Sequence, residues 1–124
     1  MSDKTDHSLN MDKLNSDIAI IGAGPAGLLA GYETNPLKNG LITTTFTKTS
    51  NIGFPVQCSG LISYSGLKSL GLNLYDIGSR IGYNIIQRAK FVSPSNYSFE
   101  IDRGLNSMIV IDRPLLEKYL ASRT

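Results

Sequence analysis

The sequence predicts an α/β domain that opens on a strand–turn–helix–strand unit, and three observations carry that expectation. A β-branched run, "DIAII", begins at Asp17 and ends at Gly22, as a buried parallel strand would. A glycine-rich stretch, "GAGPAGLLAGYET", follows at once and reads as a tight turn entering a helix. A second β-rich run, "LITTTFT", comes after the turn-like "PLKNG". Together these form a βαβ unit, whose crossover is expected to be right-handed.

The elements follow in order. Residues 1–15 are polar and predict a flexible tail, and residues 16–124 the structured part. The first helix should stop near Asn35, because Pro36 lacks an N–H and disfavours a helical residue before it. The segment "NIGFPVQCSGLIS", residues 51–63, reads as a Gly/Pro-rich loop holding the only cysteine, Cys58. "YSGLKSLGL" predicts a short helix with Leu67 and Leu70 turned inward. "IIQRAKFVSPSNYSFEID" alternates apolar and polar residues on both sides of "SPSN", which predicts a hairpin. "SMIVID" is a further strand leading into the helix "RPLLEKYLASR", where Pro114 suits the first turn. Leu115, Leu116, Tyr119 and Leu120 are expected to share its packing face, set against the sheet. Tyr64, Tyr75, Tyr83, Tyr97 and Tyr119 are expected to be packing residues.

Composition narrows the function classes. The chain has 124 residues, 41% of them hydrophobic and 18% charged, which is globular rather than disordered. A net charge of +2 with scattered basic residues gives no nucleic-acid footprint. One cysteine cannot form an internal disulfide, which fits the cytoplasm. The longest apolar run, Ile18 to Gly31, is broken by glycines and a proline and is short of the roughly 20 residues a bilayer span needs. His7, the only histidine, sits in the tail and offers no metal or base chemistry.

Gly22-Ala23-Gly24-Pro25-Ala26-Gly27 fits G-x-G-x-x-G in the context that gives the pattern meaning, after a strand and opening a helix. Gly22 permits the turn, Gly24 leaves room for a pyrophosphate, and Gly27 lets helix and strand approach. The helix N-terminus offers amides and partial positive charge to phosphates. The competing reading is a tight turn with no ligand. The acidic residue that usually holds the ribose about 20 positions on is replaced by Thr47, a weaker neutral partner, with Lys48 beside it.

Three stretches in this order, "DIAIIGAGPAGLLAG", "IGFPVQCSGLIS" and "VIDRPLLEKYLA", resemble the N-terminal part of the geranylgeranyl reductase family of FAD-dependent oxidoreductases. That family includes the archaeal digeranylgeranylglycerophospholipid reductases. The resemblance implies a Rossmann-like FAD/NAD(P)-binding fold of the glutathione-reductase type, here incomplete and carrying a β-hairpin insertion. It implies reduction of isoprenoid C=C bonds by reduced FAD. Gly22, Gly24, Pro25, Ala26 and Gly27 would form the pyrophosphate turn. Thr47 stands where the family has a ribose-binding glutamate. Cys58 and Gly60 would match the cysteine loop near the isoalloxazine, and Arg113 the arginine that approaches the FAD. Cys58 is accordingly the catalytic candidate, set against a gap-filling structural thiol. Arg113 is read either as an anion ligand or as the partner of Glu117, four residues on.

Family members are about three times longer, so the chain is expected to need further sequence for activity. That would be supplied as a C-terminal part or a partner chain, with an isoprenoid lipid as substrate and peripheral membrane contact. Two alternatives stay open: another flavoprotein of the same fold, such as a monooxygenase or dehydrogenase, and a non-enzymatic nucleotide-binding fragment.

Overall fold

The computed structural model describes residues 15–35, 40–104 and 107–124. The predicted tail, apart from residue 15, and most of the "PLKNG" turn lie outside the described residues.

The expected opening unit is present. Strand β1 (Ile18–Ile21) leads through the glycine turn into helix α1 (Pro25–Glu33), and strand β2 (Thr43–Phe46) pairs parallel to β1, Ile18 opposite Thr43 and Ile21 opposite Phe46. Pro25 occupies the first helical turn, where its missing N–H costs nothing. The helix ends before Pro36, with the Thr34 N–H donating to the Ala30 carbonyl at 3.0 Å. The Thr43 hydroxyl donates back to the Thr34 carbonyl at 3.2 Å and tethers β2 to the end of α1.

The remaining strands form separate sheets. Strand β3 (Leu61–Ser63) is followed by helices α2 (Tyr64–Ser69) and α3 (Leu74–Ile81) and then by strand β4 (Tyr83–Ile86). The hairpin strands β5 (Arg88–Val92) and β6 (Ser98–Asp102) come next, then β7 (Met108–Ile111) and helix α4 (Arg113–Ala121). Strand β7 lies between β3 and β4 and is antiparallel to both. The hairpin forms around "SPSN" as expected, with Phe91 opposite Phe99 and their rings stacked at 4.9 Å. The "II" that precedes it is claimed by β4 and pairs with β7 instead.

The core gathers side chains from distant parts of the chain: Leu28 on α1, Leu67 on α2, Leu72, then Leu74, Ile77 and Ile81 on α3, Ile109 and Ile111 on β7, and Leu120 on α4. α4 packs on α1 and α3, so its inner face meets helices rather than the sheet of the sequence expectation. Three further expectations are corrected. Leu70 ends α2 as its cap and is 45% exposed, while only Leu67 turns inward. Leu115 is exposed and Glu117 takes the inner position on α4 beside Leu116, Tyr119 and Leu120. Tyr75 and Tyr97 stand in solvent rather than in packing roles, whereas Tyr64 and Tyr119 do border the core. Tyr83 lies over Gly78, where an added Cβ would meet its ring at 2.5 Å. Among the described residues no helix is long and apolar enough to cross a membrane.

Candidate functional site

Two parallel strands joined through a helix bring their carboxyl ends to one side, and there a groove of about 900 Å³ opens. It is walled by Ile21 to Pro25 after β1, Phe46 to Thr49 after β2, Ile52 to Gln57 of the cysteine loop, and Arg113 and Glu117 of α4. Ligands of open α/β sheets bind at this end of the strands.

Each glycine of the turn has its own physical role here. Gly22 has φ +110, a conformation that L side chains rarely adopt, and its N–H donates to the Phe46 carbonyl at 2.8 Å. Gly24 is the N-cap of α1 with no side-chain cap, and a Cβ built on it would meet nothing within 4 Å. The space above Gly24 is therefore open groove, as a diphosphate would require. Gly27 does not line the groove. A Cβ there would run into the Gly22 carbonyl oxygen and lie 3.3 Å from Ile20 Cγ2, so Gly27 serves the close approach of helix to strand. The first amides of α1 have no partners within the helix, and the absence of a cap leaves them to a ligand or water.

Thr47 lies on the groove wall at the end of β2, with its Oγ1 3.4 Å from the Thr49 N–H. Lys48 and Thr49 flank it there, and this edge of the groove carries no carboxylate. Apolar walls complete the site: Ile21 is 83% exposed, and Phe46, Phe54 and Val56 are also exposed. Apolar surface turned into a concave polar-edged groove suits a flat, partly aromatic ligand better than free water.

The cysteine loop reaches α4 and the end of β7 through two glycine contacts. A Cβ on Gly53 (φ +87) would lie 2.7 Å from Pro114 Cα. Gly60 (φ +78) lies so close to the Ile111 carbonyl oxygen that no Cβ fits, and its own carbonyl accepts the Ile111 N–H at 3.0 Å. Sequence reasoning missed Gly53, although a glycine two residues from Pro55 marks a constrained loop. These contacts bring Cys58 beside Arg113.

Cys58 is exposed, so it fills no gap in the core. It lies in a neighbouring hollow of about 450 Å³ that shares Phe54, Val56 and Arg113 with the main groove. The Gly60 backbone N–H and, next, the Arg113 side chain favour its thiolate and hold the thiol below its usual range. Arg113 also meets Glu117: Nε at 3.0 Å and Nη2 at 2.6 Å both donate to Glu117 Oε1. Glu117 is 5% exposed. The two readings of Arg113 thus prove compatible, since one guanidinium pairs with Glu117 and still borders the groove. Its charge is held firmly, first by Glu117 and then by Cys58.

Gly22, Gly24, Pro25, Thr47 and Arg113 thus converge on one groove, with Cys58 in the adjoining hollow. Ala26, Gly27 and Gly60 do not line the groove.

A glycine turn between parallel strands, opening on such a groove, is the layout of nucleotide sites in α/β proteins. No protein-family model matches the chain. Over 108 residues it is 32% identical to the digeranylgeranylglycerophospholipid reductase of Methanococcus vannielii, a match covering 87% of this chain and 26% of that protein. Over 115 residues it is 33% identical to the protein of the same name from Methanocaldococcus jannaschii, covering 91% of this chain and 28% of that one. The fold is similar to that of a geranylgeranyl bacteriochlorophyll reductase-like protein from Thermoplasma acidophilum, with TM-score 0.73 and 27% identity over 87% of this chain and 27% of the other. The resemblance to the geranylgeranyl reductase family is therefore shown for the stretch the chain covers. The chain spans about a quarter of the length of these relatives.

Proposed function

We propose that the chain is the FAD-binding portion of a flavin-dependent oxidoreductase that reduces isoprenoid C=C bonds of lipid precursors, with turnover requiring further chain. The observation that carries this reading is the convergence of the uncapped α1 N-terminus, open space over Gly24, and Arg113 on one groove. The similarity to reductases named for geranylgeranyl substrates supplies the reaction class. The fold subtype that goes with it is the Rossmann-like unit of the glutathione-reductase type.

Bound FAD, once reduced, would supply the hydride. The chain's own residues divide the remaining work. Gly24 admits the diphosphate, and the first amides of α1 hold it. Arg113 adds a fixed cation at the same groove, and Thr47 offers a hydroxyl to the ribose. Ile21, Phe46, Phe54 and Val56 exclude water from the ligand's apolar surface. Cys58, exposed beside the groove, can give up a proton from Sγ to a substrate carbon, and the neighbours that favour its thiolate, Gly60 N–H and then Arg113, also ease that release. With an isoprenoid substrate, the chain would work in the cytoplasm with access to a membrane surface. The remaining substrate enclosure would come from a C-terminal part or a partner chain.

The test is a titration of the chain with FAD, followed by flavin fluorescence, with ADP as competitor. Saturable binding displaced by ADP is expected; no binding at any concentration would remove the cofactor assignment. Thr47 as a neutral ribose partner favours weak adenosine binding, and a chain that binds ADP but not FAD would instead be a nucleotide-binding fragment. Thr47→Glu should tighten FAD by about 1 kcal/mol, roughly fivefold, because a charge-assisted hydrogen bond replaces a neutral one. The ratio of the two dissociation constants checks this.

A further inference from the structure

Glu117 is a carboxylate on the inner side of a surface helix, 5% exposed, in a position that helical packing would ordinarily give to an apolar residue. It receives two hydrogen bonds on one oxygen, from Arg113 Nε at 3.0 Å and Nη2 at 2.6 Å, and it borders the glycine-turn groove. Arg113 in turn lines the hollow that holds Cys58 as well as the groove, so its guanidinium stands between the two. A long arginine at a helix start, next to an exposed loop, has much rotamer entropy opposing any one placement. A buried acceptor one turn on is a physical device for overcoming that entropy.

We propose that Glu117 is a positioning residue: it fixes the Arg113 guanidinium at the boundary between the groove and Cys58, so that one cation serves both. The surrounding groups leave this task to Arg113. Of the other charged side chains lining the Cys58 hollow, Asp112 is committed to the helix, accepting the Leu115 N–H at 3.0 Å as N-cap. Lys118 lies over the Phe54 ring at 5.5 Å. Gly60 contributes a backbone N–H that no side-chain change at position 117 removes.

The chain has a single cysteine, so the rate of its alkylation by iodoacetamide against pH reads one thiol. The measurement is made without flavin, and the result stands apart from whether FAD binds. In the parent chain the midpoint should lie below that of an ordinary thiol. Glu117→Leu fills the same buried space without accepting a hydrogen bond, and the midpoint should rise as Arg113 leaves. Glu117→Gln keeps an acceptor oxygen and removes a negative charge, so its midpoint should stay at the parent's value or fall. Arg113→Lys keeps the charge but loses the fork and should raise the midpoint. That last variant provides the reading if Glu117→Leu does not fold. A midpoint in Glu117→Leu equal to or below the parent's would overturn the proposal, since removing a nearby carboxylate without moving Arg113 can only favour the thiolate. So would an unchanged midpoint in Arg113→Lys.

Discussion

Gly27→Ala should destabilise the chain by about 3 kcal/mol or more while removing nothing from the groove. The added methyl would occupy the place of the Gly22 carbonyl oxygen and lie 3.1 Å from Gly22 C and 3.3 Å from Ile20 Cγ2. Two of these three neighbours are backbone atoms of the turn that ends β1, so no side-chain rotation relieves the clash. Overpacking ordinarily costs about 1–3 kcal/mol, and a backbone obstacle places this case at the top of that range or beyond it. Alanine is the better helix former by about 1 kcal/mol, which offsets part of the loss but not its sign. Denaturant unfolding of parent and variant measures the difference. A variant within about 0.5 kcal/mol of the parent would mean that α1 does not sit on β1 in this geometry.

Gly24→Val should have the opposite profile: near-parental stability and lost FAD binding. Gly24 has φ −83 and ψ 180, an extended backbone that valine adopts readily, and its side-chain direction is open. The cost to folding is that of a poor N-cap replacing glycine, about 1 kcal/mol or less. The isopropyl group would stand in the groove over the α1 N-terminus, where the diphosphate has to approach. FAD affinity should fall by about 100-fold or more, near 2.7 kcal/mol. The same fluorescence titration checks it, with the unfolding midpoint as control. Equal affinity in parent and variant would reduce the glycine turn to a tight connection with no ligand. The contrast between positions 24 and 27 separates the binding from the packing role of one motif.

The local order of elements was legible in the sequence because local physics sets it. The run "IAII" could not cover its own faces and became β1, the glycines made the turn, and Pro25 and Pro36 bounded α1. Alternation around "SPSN" gave the hairpin, and Pro114 marked the start of α4. The inward faces were less legible. Leu70 and Leu115 looked like core and are exposed, because a cap position and a helix rim are set by what packs opposite them. Glu117, read from spacing only as a partner for Arg113, is buried, because which side of α4 is covered is set by the helices and groove it packs against.

The sequence by itself determined the strand–turn–helix–strand unit and the glycine turn, because backbone freedom and hydrophobic period act over a few residues. It also determined the resemblance over which the reductase comparisons hold. Only the tertiary structure decided that β7 runs between β3 and β4 in a sheet apart from β1 and β2. It alone set the cysteine loop against the start of α4 through Gly53 and against the end of β7 through Gly60, and so brought Cys58 into the hollow beside Arg113, whose partner Glu117 borders the groove. Cys58 and Arg113 are 55 positions apart in the chain, and no local pattern specifies a contact of that span. It is decided by whether two backbones can approach, and here the missing Cβ atoms at positions 53 and 60 allow it.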